Sequence, residues 1–346
     1  MQIGDRKIGM NHRPYIIAEI GVNHDGEVAR ALELTDAAAD AGADAVKLQF
    51  FETDRLMSKA AKLAAYQKNA GETDPIEMLK RLELTIDEMA LVVDRAHERG
   101  IHAIVTVFSM ELVEAAETLA WDAYKTASPD IVNRPLLEVL MATGKPMIVS
   151  TGASELDEVV RAVGWLDDAR DRLAVLQCVS CYPAPDPALA GIPVIRDTTG
   201  LPTGYSDHTS NPATGQMAVR TGACILEKHL TYDIHAAGPD HSASFEISFF
   251  KCYTSTARRV EWVHNTIGEK TVLDCERDVR EVSRQSVVSA CDITLGTTIT
   301  REMLTIKRPG TGILGFEIDT VVGRVATRAV EADVPIVEED LECQTS

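Results

Sequence analysis

Two histidines stand at the ends of apolar runs, His208 in YSDHT (205–209) and His229 in LEKHLTYD (226–233). A single histidine in such a place is most often a hydrogen-bonded core residue. A pair at the ends of neighbouring strands is a different case, because adjacent strands run about 4.8 Å apart. Two imidazoles with open coordination positions suit a hydrated divalent cation such as Mn2+, Fe2+ or Zn2+, held as a Lewis acid. Two lysines lie inside other apolar runs, Lys47 in DAVKLQF (44–50) and Lys125 in DAYKTAS (122–128). A buried ammonium needs an anionic partner. With the hydroxyls of Thr106, Ser109, Ser128, Thr151, Ser180 and Ser206 nearby, the lysines describe a phosphate or carboxylate site. Glu19, Asp130 and Asp240 can serve as acid, base or acceptor of sugar hydroxyls.

For these side chains to meet, the runs that end in them must lie side by side. Eight β-rich runs cover 15–21, 44–50, 102–108, 122–128, 146–152, 173–179, 201–207 and 224–230. Amphipathic helical patterns separate most of them, and those over 28–42 and 84–100 each end on glycine, as helix C-caps often do. The connection between the sixth and seventh runs reads mostly as loop. A last helix is expected over 247–268. Eight nearly continuous apolar runs alternating with helices argue a parallel (β/α)8 TIM barrel rather than a doubly wound sheet. The polar residues collect at one strand end, which in this fold is the active face. That list also takes in Asn23, His24, Gln49, Asp207 and Lys228. Residues 3–14 are expected to form a hairpin plugging the lower end of the barrel.

The texture changes after about residue 266. Residues 267–284 are charged, lack an apolar stripe and read as a linker running outward. Residues 285–346 have short strands and Gly turns and read as a compact β-rich module. The expected organisation is a catalytic barrel over 1–266, the linker, and the module. GTGILG (310–315) matches G-x-G-x-x-G, but without the strand, turn and helix that dinucleotide binding requires.

Composition bounds the functions open to the chain. Its 346 residues allow one barrel-sized domain plus a small one, and 45% apolar residues with only 5% aromatic imply an aliphatic core. No apolar run approaches 20 residues, so no membrane span is expected. The N-terminus lacks the pattern of a signal peptide. A net charge of −19 repels nucleic acid and anionic lipid, so any anion site must gather its own cations. Seven cysteines, an odd number, suit reduced thiols and a cytoplasmic location. Cys178 and Cys181 form a C-x-x-C without a second pair or a helix start, which reads as structural.

IIAEIGVNHDG, AGADAVKLQFF, LLEVLMATGKPMIVSTGAS, LQCVSCYPAP, GYSDHT, LEKHLTYD and GPDHSASFE, in this order, resemble the sialic acid synthase family. DITLGTTITREMLTIKRPGTGI resembles its C-terminal antifreeze-like (SAF) domain. The resemblance implies a TIM barrel that condenses phosphoenolpyruvate with an N-acylated amino sugar, giving a nine-carbon 2-keto sugar acid and phosphate. It implies a divalent metal, commonly Mn2+ with Mg2+ or Co2+ as alternatives, on His208 and His229. Phosphoenolpyruvate would lie on Lys47, Thr106, Lys125, Ser128, Ser180 and Ser206, while Glu19, Tyr182 and Asp240 would face the sugar. The family pattern also implies a domain-swapped homodimer in which Arg308 reaches the sugar's acyl group in the partner's barrel. This chain departs from the pattern at Val107, Asp130 and Ser180, the first two of which touch the sugar end.

Overall fold

The computed structural model describes residues 1–260 and 271–342. Eight parallel strands form its centre: β1 (Tyr15–Glu19), β2 (Ala45–Phe50), β3 (His102–Val107), β4 (Ala123–Thr126), β5 (Met147–Ser150), β6 (Leu173–Cys178), β7 (Thr203–Asp207) and β8 (Ile225–Thr231). Each pairs with the next, and β8 pairs with both β7 and β1, so the sheet closes on itself. Each run read from the sequence matches one of these strands, with β8 extending one residue past its run to Thr231. Helices Val28–Asp40 and Ile86–Glu98 end as expected, with Gly42 at φ 84° and Gly100 at φ 71°. The connection between β6 and β7, expected to be mostly loop, carries the nine-residue helix Gly191–Thr199. Pro193 sits in its first turn, where a missing N–H costs nothing. The last barrel helix spans Ile247–Ala257, and the remainder of that expected helix from residue 261 lies outside the described residues.

Strand parity sorts the side chains. Val46, Leu48, Val105, Tyr124, Val149, Val175, Tyr205 and Leu226 point outward into the layer shared with the helices. Ile17, Ala45, Ile104, Ala123, Ile148, Ala174, Leu176 and Ile225 point inward and fill the lower barrel. The N-terminal hairpin expected over 3–14 is shorter and earlier: Gln2–Ile3 pairs antiparallel with Arg6–Lys7, and Ile3 and Ile8 join that lower core as its plug. Two residues further along most strands the inward positions turn polar, at Glu19, Lys47, Thr106, Lys125, Ser150 and Glu227.

In the C-terminal module, Ser286–Ser289 pairs antiparallel with Leu304–Lys307 over a separate core that includes Val287, Ile293, Ile299 and Ile336. GTGILG lies in a turn of this module, followed only by short helical turns over Gly315–Glu317 and Ile318–Val321. The segment read as an outward linker behaves differently where it is described; residues 267–270 of it are not. Asp274–Glu276 and helix Arg277–Ser283 lie on the barrel rim. Glu276 Oε1 accepts from Ala153 N (2.5 Å) and Ser180 N (3.1 Å), and Arg280 and Arg284 both bind the Glu158 carboxylate. Those guanidiniums hold Glu158 down to about 2 against the effect of burial. The attachment is ionic and hydrogen-bonded, so the missing apolar stripe gave no sign of it.

Candidate active site

The inward polar positions converge above the core in one cavity of about 900 Å3, its open mouth included. Glu19, Lys47, Thr106, Lys125, Ser128, Ser180, Tyr182, Ser206, His208, His229, Asp240 and Arg308 all line it. Register explains much of this. His229 lies opposite Glu19, Glu19 opposite Lys47, and Ser206 opposite both Cys178 and Glu227. Parity excludes other candidates. Lys228, one residue off, points out of the barrel to the carbonyls of Thr209 and Ala243, and its ammonium sits 4.1 Å from the Phe245 ring centroid. Asp207 faces the same outer layer and accepts from Thr209. Asn23 is spent on Leu230 O and Ser244, and Thr151 on Leu176 O.

One end of the cavity is cationic and rich in hydroxyls. Lys47 Nζ lies against the Glu19 carboxylate and donates to Thr106 Oγ1 at 3.0 Å. Glu227, buried between the lysines, is 3.3 Å from Lys125 and 3.9 Å from Lys47. Burial pushes Lys47 down to about 7 against the pull of Glu227, while the two lysines hold Glu227 below its ordinary value despite its burial. Around them stand Ser128, Ser150, Ser180 and Ser206. Gly152 closes the cradle: its N–H donates to Ser128 Oγ at 3.0 Å, and a Cβ there would fall 2.1 Å from Ser180 Oγ. Only glycine lets the backbone approach so closely. The arrangement can hold an oxyanion from several sides.

The histidines face each other at the adjoining wall, ring centroids 5.4 Å apart. His208 Nδ1 is engaged by Val179 O at 2.8 Å, with Cys178 Sγ 3.7 Å away, which leaves Nε2 for a ligand. His229 Nδ1 is buried without a hydrogen-bond partner, and Asp240 Oδ2 lies 3.6 Å from it. Burial and the neighbouring cations hold His229 well below its ordinary value, so it is a neutral imidazole with a lone pair to offer. An unpartnered buried nitrogen beside a second available one fits a divalent ion. Among the described residues no three His, Cys, Asp or Glu side chains converge on one point. The chain itself therefore offers two imidazoles, with Asp240 at the margin. Burial raises Asp240 to about 6.

The far end is apolar, walled by Val22, Phe51, Leu56, Met78, Leu79 and Phe108. Arg308 enters here from the C-terminal module. Its backbone is bonded to the barrel loop, N to Leu56 O at 3.3 Å and O from Ser58 N at 3.2 Å, and its guanidinium lies 5.7 Å from the Phe108 ring centroid. Asp130, also read from the sequence, stands apart from the lining residues. It does not line the cavity. It is fully buried, both carboxylate oxygens lack hydrogen-bond partners, and burial lifts it to about 7 against the pull of Arg308 and Lys125. Its carboxylate is coupled electrostatically to the cavity residues Arg308 and Lys125.

Among the wall residues that sequence reasoning missed are Glu227, Cys178 and Tyr66. Glu227 stands two positions before His229, and strand parity alone would have found it. Cys178, set aside with its C-x-x-C, faces inward on the same parity. Tyr66 comes from a loop helix, Ala65–Asn69, and packs on Tyr182 at 4.6 Å between ring centroids; no periodic signal marks it.

Residues 34–270 match the NeuB family and residues 284–342 match the SAF domain. The chain belongs to the NeuB family. It is 36% identical to N,N'-diacetyllegionaminic acid synthase of Legionella pneumophila over 98% of both chains. It is 32% identical to N-acetylneuraminate-9-phosphate synthase of Mus musculus over 97% of this chain and 95% of that one. The crystal structure of the spore coat polysaccharide biosynthesis protein SpsE from Bacillus subtilis superposes with a TM-score of 0.84 at 28% identity, covering 99% of both chains. Among the described residues no helix is long and apolar enough to cross a membrane.

Proposed function

We propose that this cavity joins phosphoenolpyruvate to the open-chain aldehyde of an N-acylated amino sugar, giving a nine-carbon 2-keto sugar acid and phosphate. The observation that carries this reading is the sharing of one cavity by the Lys47–Lys125 cradle, the imidazole pair and Arg308. Lys47 and Lys125, with Thr106 and the serines, hold the phosphate and carboxylate of phosphoenolpyruvate, and an arriving anion favours the charged form of Lys47. C3 of phosphoenolpyruvate attacks the aldehyde carbon. Water then adds at C2, and the resulting tetrahedral carbon expels phosphate by C–O cleavage. A divalent ion on His208 and His229, Mn2+ foremost, would supply Lewis-acid polarisation there. Asp240 takes the proton from water; its position on the cavity wall and its raised carboxyl support this reading, whereas Glu19 is engaged by Lys47 and by Gly21 N at 2.7 Å. Arg308 donates to an acyl carbonyl of the sugar.

The apolar wall favours an acceptor that ends in methyl, such as a 2,4-diacetamido-trideoxyhexose, over one that ends in phosphate. A terminal phosphate would bring charge against Val22, Phe51 and Met78, away from the Lys47–Lys125 cradle, with Arg308 as the cation that enters at this end. The test is phosphate release from phosphoenolpyruvate with N-acetylmannosamine, its 6-phosphate and a 2,4-diacetamido-trideoxyhexose as acceptors. The expected result is acceptor-dependent release, greatest with the trideoxy sugar and lost on chelation. Release with none of the three, or preference for the phosphorylated sugar, contradicts the assignment. We further propose that the C-terminal module sits on the barrel of a partner chain.

A further inference from the structure

Asp240 is placed by a turn whose anchors lie outside the cavity. Among the described residues its carboxylate accepts no hydrogen bond, so its backbone must aim it. Asp240 opens the short helical turn His241–Ala243, and its carbonyl accepts from Ser244 Oγ at 2.6 Å. The loop after β1 grips this turn at two places. Asn23 Nδ2 donates to Ser244 Oγ at 2.8 Å, and Asp25 Oδ1 lies 2.9 Å from His241 Nε2. Against its burial, the bonds from His241 and Tyr232 hold the Asp25 carboxyl below its ordinary value. An ionised carboxylate only accepts, so His241 Nε2 carries a proton toward it. The other ring nitrogen, Nδ1, is bonded to Thr231 Oγ1 at 2.7 Å, at the end of the strand that carries His229. Asp25 Oδ2 is in turn held by Arg30 at 2.5 Å and by the Tyr232 hydroxyl at 2.8 Å. His241 is 1% exposed, and a Cβ on Gly238 would fall 2.7 Å from its ring, so the segment leading to Asp240 packs directly on the imidazole. Neither His241 nor Asp25 lines the cavity.

We infer that His241 and Asp25 are positioning residues that fix the turn carrying Asp240, and with it the place of the Asp240 carboxylate on the cavity wall. The inference rests on Asp240 as the group that takes the proton from water. His241 ties together the loop after β1, the end of β8 and the turn itself. Both of its ring nitrogens are engaged, so the ring cannot turn over without losing both bonds. Without the imidazole the turn keeps only its Ser244 anchor, and the Asp240 carboxylate drifts from its place 3.6 Å from His229 Nδ1. Lys47, Lys125 and Arg308 stand on other elements and stay where they are. A misplacement of about 1 Å can cost on the order of 100-fold in rate. The loss therefore falls on turnover and not on the binding of either substrate.

The test compares His241→Phe, which keeps the bulk of the ring without its nitrogens, His241→Ala, Asp240→Asn, and Asp240→Asn combined with His241→Phe. The full chains are assayed with Mn2+, phosphoenolpyruvate and the 2,4-diacetamido-trideoxyhexose. Amide hydrogen exchange over 238–244 is followed by mass spectrometry with no metal or substrate added. His241→Phe and His241→Ala should each lower kcat about 10- to 100-fold with both KM values nearly unchanged, and should speed exchange over 238–244. Added to Asp240→Asn, His241→Phe should cost little more, because it acts through Asp240. Wild-type kcat or wild-type exchange in His241→Phe, or its full loss repeated on top of Asp240→Asn, overturns the positioning role and leaves the assignment of Asp240 standing. Asp240→Asn with wild-type turnover, or a wild-type chain that releases no phosphate in response to the sugar, overturns that assignment and this inference with it.

Discussion

Lys47 and Lys125 concentrate positive charge inside a molecule whose net charge is −19. A charge-assisted hydrogen bond is worth roughly 1.5–3 kcal/mol, or about 10- to 150-fold in affinity. Lys125→Ala should raise the apparent requirement for phosphoenolpyruvate by that factor and leave the sugar requirement nearly unchanged; steady-state kinetics with each substrate varied in turn checks this. Equal losses for both substrates contradict the cradle. Asp130 gives a second prediction, read through stability. Burial raises its carboxyl from 3.8 to about 7, so between those values the folded chain keeps a proton that the unfolded chain has released. Its contribution to stability is therefore fully present below the unfolded value and is lost as pH rises through about 7. Asp130→Asn removes this dependence. Its stability relative to wild type should climb between pH 4 and 7, by about 4 kcal/mol at most, as followed by denaturant unfolding at several pH values. A difference that does not vary with pH contradicts the burial argument. At this scale the sequence was most informative where a charged residue interrupted an apolar run. Asp130 shows the limit of such reading: its neighbours Ser128 and Lys125 line the cavity, while its own carboxylate is fully buried without a hydrogen-bond partner.

The eight strands were legible because a parallel barrel needs runs that are apolar on both faces, and the switch from apolar to polar inward positions marks the upper end of each. Lys228 and Asp207 show the limit of reading strand ends by position: both stand beside site residues, and the two-residue period alone sends them outward. The docked segment 274–284 was illegible for another reason. Its grip rests on Glu276, Arg280 and Arg284, and charged residues carry no periodic signal of burial. Glu276→Ala should leave Ala153 N and Ser180 N without an acceptor, at roughly 1–3 kcal/mol for each buried group. The barrel should remain folded, while the sugar requirement rises more than that for phosphoenolpyruvate, because Arg308 is carried by the loosened module. Unchanged melting and unchanged sugar kinetics would show that the clasp holds nothing in place.

At the level of the whole molecule, the cavity is complete only when a C-terminal module covers a barrel, since Arg308 belongs to the module. In an exchanged dimer the barrel of one chain meets the arginine of the other. A His208→Ala chain and an Arg308→Ala chain, each inactive, should together restore activity in mixed dimers, where one site has both an intact barrel and an intact arginine. Mixed dimers without activity would place Arg308 in its own chain's site. The condensation itself is tested most directly by the fate of one oxygen atom. Phosphoenolpyruvate labelled with 18O at the bridging position is incubated with the full chain, Mn2+ and the 2,4-diacetamido-trideoxyhexose, and the released phosphate is weighed by mass spectrometry. Condensation with C–O cleavage predicts phosphate that appears only with the sugar present and retains the label. Unlabelled phosphate, or labelled phosphate formed equally well without the sugar, would contradict it.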